Sequence, residues 1–312
     1  MRLIYHAGAL GDFITTLPAI TWWARRTGET EPTVLLSRGP HARLAVAAGL
    51  VDKAWDVDDQ RSARLFSGEI QSQEISAALL FATPESPLVV TLQAGGCRSI
   101  IRQDPFPSHP VSKMDYHLGL FEDAPRAEDL LEPLRRFARR QASLLSWETF
   151  SAQGGLLLHP GSGGRSKIWP LERFVAVAEY FRHRGREIAW ILGPAEEGWE
   201  LPAGSPAYRN LPLERLCGLY AQARGYLGND SGATHLAVAC GCPGVVLFGP
   251  SDPRIWAPRG APVRVVTSPA GDSIAGITAD QVIDAIRDLS LQLQGDRRPS
   301  LFSDADPVNL EN

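Results

Sequence analysis

Long apolar runs are missing from this 312-residue chain. No stretch approaches the ~20 consecutive apolar residues that a membrane-crossing helix needs, and the opening Met1-Arg2-Leu-Ile-Tyr-His6 turns polar too soon for a secretory leader. A cytoplasmic protein is expected. Cysteine is sparse, with Cys97, Cys217, Cys240 and Cys242 and no partner pair at zinc spacing; this argues against a zinc ribbon and predicts reduced packing residues. An excess of positive charge is missing too. The 31 Lys and Arg stand against 35 Asp and Glu, for a net charge of −4, which argues against a nucleic-acid partner. What remains is ordinary globular composition, 44% hydrophobic and 21% charged, in a chain longer than one core usually spans, so two domains are expected.

Three glycine-rich turns carry the chemistry, each between a buried strand and a helix. The first is Ala7-Gly-Ala-Leu-Gly-Asp12, leading into an apolar-patterned helix from Phe13 to Thr27 that Pro18 should kink. Gly8 and Gly11 permit close backbone approach to a ligand, but the spacing is not the G-x-G-x-x-G dinucleotide fingerprint. Asp12 would also suit an N-cap. The second turn is His159-Pro-Gly-Ser-Gly-Gly-Arg-Ser-Lys-Ile-Trp-Pro170. Its Ser162, Gly163, Gly164, Arg165 and Lys167 bring together the hydroxyl, backbone and cationic donors that a diphosphate needs; lacking G-K-[ST], it is not a P-loop. The third, Gly228-Asn-Asp-Ser-Gly-Ala-Thr-His235, opens a helix whose free N–H groups and positive dipole end favour an anion. Asp230 would repel a phosphate placed on it, so it is expected to cap the helix or hold hydroxyls, leaving Ser231, Gly232 and the backbone for the phosphate. Asp and Ser are equally ordinary N-caps, and His235 taken alone reads as a polar residue beneath the helix.

Strands and helices alternate, and the alternation restarts mid-chain. The first half reads as strands near 2–6, 33–37, 53–57, 77–81 and 88–93, helices near 12–27 and 40–48, and a short helix near 61–67; residues 121–150 connect two lobes. The second half reads as strands near 155–159, 187–192, 224–228, 244–248 and 262–267, with helices near 171–184, 216–223, 234–240 and 278–291. This pattern predicts an α/β protein of two doubly wound, Rossmann-like lobes, 1–148 and 149–291. Residues 292–312 are polar without an apolar period and are expected to be a disordered tail.

In this order and spacing the three turns resemble glycosyltransferase family nine, the bacterial ADP-heptose:lipopolysaccharide heptosyltransferases. Gly8 to Asp12 matches a G-x-x-G-D turn followed by Leu17-Pro18, and His159 to Pro170 matches H-P-G-S-G-G-x-x-K-x-W-P. Gly228 to Ala239 matches G-N-D-S-G-x-x-H-L-A-A with Val238 in place of one alanine, and Phe248 to Pro253 matches F-G-P-S-D-P. Residues 55–115 carry little of the resemblance. It implies a GT-B architecture, two lobes facing a central cleft, with the acceptor on the first lobe and the nucleotide sugar on the second. It also implies an inverting transfer that needs no metal and no cofactor, with ADP-heptose the default donor and a lipopolysaccharide-core or related glycan as acceptor.

By the same resemblance Asp12 matches the catalytic base and Lys167 the phosphate-binding lysine. Ser162, Gly163, Arg165, Asp230, Ser231, Gly232 and His235 complete the donor diphosphate site, Glu196 (or its neighbour Glu197) meets the donor ribose, and Gly8 and Gly11 shape the turn beside the acceptor. Trp169 and Trp190 suit core packing better than nucleotide stacking. Arg61, Arg64, Arg98, Arg102 and Lys113 are candidates for a basic acceptor face, though acidic residues such as Asp56, Asp58 and Asp59 are as numerous there. A monomer is expected, cytoplasmic, with peripheral contact at the inner-membrane face. Three other readings share these lobes: a nucleotide-sugar epimerase or hydrolase acting on the donor alone, a nicotinamide-dependent oxidoreductase, which the missing dinucleotide fingerprint disfavours, and a non-catalytic nucleotide-sugar-binding member of the family.

Overall fold

The computed structural model describes residues 1–26, 31–69, 74–144, 155–268 and 273–295. Five strands form the first sheet: β1 (Arg2–His6), β2 (Thr33–Ser37), β3 (Lys53–Asp56), β4 (Ala77–Phe81) and β5 (Ser99–Gln103), all parallel in the order β3-β2-β1-β4-β5. Parallel strands need crossover connections, here supplied by α1 (Leu10–Arg26), α2 (Gly39–Ala47), α3 (Gln60–Phe66) and α4 (Pro87–Ala94). Helices then cover both faces, and the strands alternate between two apolar layers. Ile4, Leu35 and Leu79 join one, and Leu3, Val34, Leu36, Ala78 and Leu80 join the other.

Three helices follow, α5 (Lys113–Leu118), α6 (Ala127–Leu130) and α7 (Glu132–Leu144). The second lobe then starts with β6 (Leu156–His159) and α8 (Leu171–Arg182), followed by β7 (Ile188–Leu192), β8 (Ala207–Arg209), α9 (Leu213–Gln222), β9 (Gly225–Asn229) and α10 (Gly232–Ala239). It closes with β10 (Gly244–Phe248), α11 (Pro253–Trp256), β11 (Val263–Thr267) and α12 (Ala279–Gly295). Its six parallel strands run β11-β10-β9-β6-β7-β8, which read from the far edge is the 3-2-1-4-5-6 order of a dinucleotide-type fold. The expected α/β architecture of two doubly wound lobes is thus what the chain forms.

One apolar core crosses from lobe to lobe. Phe13, Leu17 and Ile20 of α1 belong to the same buried cluster as Leu236 and Ala237 of α10, and Leu134, Phe137 and Ala138 of α7 to the same cluster as Leu216 and Tyr220 of α9. Arg259 adds polar ties, with Nε 2.8 Å and Nη2 2.6 Å from Glu128 Oε1 and an ion pair to Asp115.

Three sequence expectations need correction. The predicted strand at 88–93 is helix α4: Pro87 sits in its first turn and Gly95 follows its end, and Leu88, Val89 and Leu92 turn inward while Val90 is exposed. A run of β-branched residues imitates a strand, and the fifth strand lies instead at Ser99–Gln103. Helix α1, with Pro18 inside it, starts at Leu10 rather than near 12. The C-terminal helix passes 291 to Gly295 with Leu293 buried, so the first four residues assigned to a tail belong to the lobe; 296–312 lie outside the described residues, as does the boundary expected near 148. The four cysteines are unpaired, three of them buried. Among the described residues no helix is long and apolar enough to cross a membrane.

Candidate active site at the lobe junction

In open parallel sheets, ligands bind beyond the carboxyl ends of the strands where the strand order reverses. In the second lobe that point lies between β6 and β9, which pair with His159 opposite Gly228. The second and third glycine-rich turns therefore leave the sheet side by side. Asn229 locks them together. It is fully buried, its Nδ2 donates to the Pro160 carbonyl at 2.7 Å, and its Oδ1 accepts from the Trp169 backbone N–H at 3.3 Å, so one side chain holds both ends of the His159–Pro170 loop. Ser162 Oγ adds a hydrogen bond to the Asp230 carbonyl at 2.8 Å. None of this was readable from Asn229 alone, because its partners lie 60 or more residues away.

Asp230 is buried and takes Lys167 Nζ at 2.7 Å, with His235 Nε2 3.8 Å from its other oxygen. Burial opposes its ionisation, but His235 and Lys167 outweigh it and hold the carboxyl down to about 2. Asp230 is therefore not the helix cap, one of the two roles expected for it from sequence. Ser231 is, accepting from the Thr234 N–H at 3.3 Å, while Thr234 Oγ1 binds back to the Asn229 carbonyl at 2.5 Å. Gly163 and Arg165 stand exposed on the rim of the same loop, Arg165 opening a 3-10 turn that ends at Lys167.

Glu196 sits beneath this loop. It is buried, accepts the Gly193 N–H at 2.7 Å, lies 3.8 Å from His159 Nε2, and packs so closely on Gly161 that a Cβ there would collide with its carboxylate. Burial lowers His159 to about 4, so the imidazole is neutral. Trp169 and Trp190 are fully buried core residues, as expected.

Across the junction, Asp12 lies in the first turn of α1, inside the helix rather than at its cap. Its carboxylate pairs with Lys113 at the start of α5. Lys113, expected on a basic acceptor face, is only 1% exposed. Arg102, another candidate, pairs with Asp104 at 3.1 Å, and Arg64 with Glu69 at 3.4 Å. The loop turns of the two lobes then meet directly. A Cβ on Gly232 would stand 2.7 Å from Leu10 Cβ and 2.9 Å from the Gly11 nitrogen, and one on Gly11 would stand 3.3 Å from His235 Cδ2. These glycines thus permit lobe-to-lobe approach. A Cβ on Gly8 would stand 3.0 Å from His6 Cε1 and 3.1 Å from Asp12 Cβ.

Trp256, which the sequence reading passed over, occupies the centre. Its ring lies 4.3 Å from Lys113 Nζ and 5.8 Å from Lys167 Nζ, so it faces one cation from each lobe. The only sequence signal for it is its place three residues after the F-G-P-S-D-P run.

Comparison with known proteins agrees with this layout. The model of glycosyltransferase family 9 (heptosyltransferase) matches residues 122–275, which contain the second and third glycine-rich turns and Trp256. This segment is a glycosyltransferase family 9 domain. The chain is 26% identical to lipopolysaccharide heptosyltransferase 3 of Escherichia coli over 34% of its length, and the match spans only about a third, 34%, of that relative. In three dimensions it resembles a family 9 glycosyltransferase of Veillonella parvula (TM-score 0.71, 18% identity, covering 93% of this chain and 97% of the other). It also resembles the ADP-heptose lipopolysaccharide heptosyltransferase II of Escherichia coli (TM-score 0.67, 19% identity, covering 94% and 100%). At these identities the structural likeness establishes the GT-B fold, and it extends the comparison to the first lobe, where Asp12 lies outside the matched family 9 domain.

Proposed function

We propose that this protein is an inverting glycosyltransferase that moves heptose from ADP-heptose to a lipopolysaccharide-core or related glycan acceptor, with no metal required. The observation that carries the reading is the convergence on Trp256 of Lys113, which pairs with Asp12 in the first lobe, and of Lys167 from the second-lobe turn. An acceptor hydroxyl must lose its proton as the sugar–phosphate bond breaks, and a carboxylate within ~3 Å can take it. On the opposite side the electron pair of that bond passes to the diphosphate, whose growing charge meets Lys167 and Arg165 at a helix-flanked loop. Asp230 keeps the Lys167 ammonium aimed into the loop before the donor arrives. The buried Glu196 is assigned here to shaping the loop floor at Gly161; its role toward the ribose is the part of the reading that a Glu196→Gln variant addresses.

The test is calorimetric titration of the purified protein with ADP, UDP and GDP, first without and then with magnesium, followed by turnover of ADP-heptose with a lipopolysaccharide-core acceptor and NMR of the product anomer. ADP binding without metal and an inverted product are the expected results. Binding of another nucleotide in preference changes the donor, and a donor consumed without acceptor replaces the transferase reading with the epimerase or hydrolase one.

A further inference from the structure

Lysine is rare in this chain: Lys53, Lys113 and Lys167 are the full set. Two of the three face the same indole ring. Lys113 Nζ lies 4.3 Å from the centre of Trp256 and 4.6 Å from that of Phe106, and its ion pair is with Asp12. Phe106 belongs to the first lobe and Trp256 to the second, with ring centres 6.3 Å apart. The ammonium is thus seated by one carboxylate and by aromatic faces contributed from both lobes, almost out of reach of water.

We propose that Lys113 is a positioning residue for the base Asp12 and that Trp256 completes its seat from the second lobe, so that the base is set only when the two lobes are docked. The inference rests on the reading of Asp12 as base. Lys113 engages Oδ1 of Asp12, which fixes the carboxylate plane and leaves Oδ2 for the acceptor hydroxyl. During transfer the hydroxyl proton passes to Asp12, the new glycosidic bond forms from the hydroxyl oxygen, and the old C–O electron pair leaves with the diphosphate. Asp12 is then neutral, and Lys113 would be a buried cation without a counter-charge. The faces of Phe106 and Trp256 are what that ammonium keeps. Burial pulls Lys113 below the usual lysine range, with Asp12 opposing, as a seat this dry requires. A guanidinium, larger and planar, would not fit a single-point seat of this kind.

The pair has titratable neighbours on every side. His6 at the end of β1 and His117 on α5 are lowered to about 3 and His41 on α2 to about 4, each mainly by burial, so all three are neutral near pH 7. Asp230, Lys167 and His235 face the junction from the second lobe.

Two measurements test the proposal. In steady-state kinetics, Lys113→Met should lower kcat at least tenfold while the donor KM and ADP affinity stay unchanged, because the base loses its orientation and the donor loop does not. Trp256→Leu should lower kcat by less, and Trp256→Phe should restore most of it. An unchanged kcat, or a fall in kcat matched by an equal loss of ADP affinity, would show a merely structural lysine and overturn the proposal. The second measurement needs no substrate: acetic anhydride labelling read by peptide mass spectrometry, which in this chain has only three lysines and the N-terminus to resolve. Lys113 should be the slowest in the natural protein and at least tenfold faster in Trp256→Leu with the circular dichroism unchanged. Labelling of Lys113 as fast as the exposed Lys53 would refute the seat. Should the natural protein turn over no nucleotide sugar, the transferase reading falls, and the labelling result by itself decides whether the two-lobe seat exists.

Discussion

Cutting Asn229 back to alanine should cost this protein a large share of its stability and, with it, its grip on the donor. The side chain is fully buried and satisfies two backbone groups that have no other hydrogen-bond partner in the described structure, the Pro160 carbonyl at 2.7 Å and the Trp169 N–H at 3.3 Å. Leaving a buried polar group unpaired costs about 1–3 kcal/mol, so the pair costs about 2–6 kcal/mol, against a typical total of about 5–15 kcal/mol. For a protein of this size a loss of that order lowers Tm by roughly 5–20 °C. Thermal and urea unfolding read the stability, and ADP titration reads the loop, where a fall in affinity of roughly tenfold or more is expected because Lys167 and Ser162 ride on the segment that Asn229 holds. Asn229→Asp separates shape from hydrogen bonding. It keeps an acceptor for Trp169 but sets an oxygen against the Pro160 carbonyl, and should destabilise comparably. A Tm within about 2 °C of the natural protein together with unchanged ADP affinity in Asn229→Ala would refute the clamp, since even the smallest loss estimated here is larger.

Three further outcomes are expected. Asp12→Ala should lower turnover by roughly 10²–10⁴-fold with ADP affinity unchanged, and unaltered turnover would remove Asp12 as base. Lys167→Ala should weaken both ADP binding and turnover by roughly tenfold or more, the worth of a charge-assisted hydrogen bond; intact affinity would remove the loop from the phosphate site. His6, His41, His117 and His159 are held neutral by burial, at about 3, 4, 3 and 4. The unfolded chain binds protons at these sites below about pH 6.5 while the folded chain does not, so their contribution is complete above pH 6.5 and lost as pH falls toward 4. The slope is up to about 1.4 kcal/mol per pH unit for each. Urea midpoints measured from pH 7.5 to 5 should stay level down to about pH 6.5 and fall below it, and a profile flat throughout would contradict the burial of these rings.

What could be read from sequence divides along a physical line. The strands Leu156–His159, Ile188–Leu192 and Gly244–Phe248 were legible because a strand covered on both faces is a short apolar run. The three turns were legible because glycine, hydroxyl and charge crowd at one strand end. Helix α4 was misread because Val-Val-Thr states a β preference that packing overrides. The three-residue strand β8 is too short to carry a period. The site divides in the same way. Asp12, Lys167 and Asp230 each sit in a local motif, but what sets their chemistry is distant in the chain: Lys113 reaches Asp12 from 101 residues away, Lys167 reaches Asp230 from 63, and Asn229 reaches Pro160 from 69. Lys113 in particular looked like surface charge, since lysine almost always is, and only the fold places it at 1% exposure between two rings. On the proposed reading of Asp12 as base, its partner must be able to stay charged alone once the proton has been taken up. That partner belongs to no motif, because it is assembled from α5, from a loop aromatic and from a residue of the opposite lobe, and the lobes must meet before it exists.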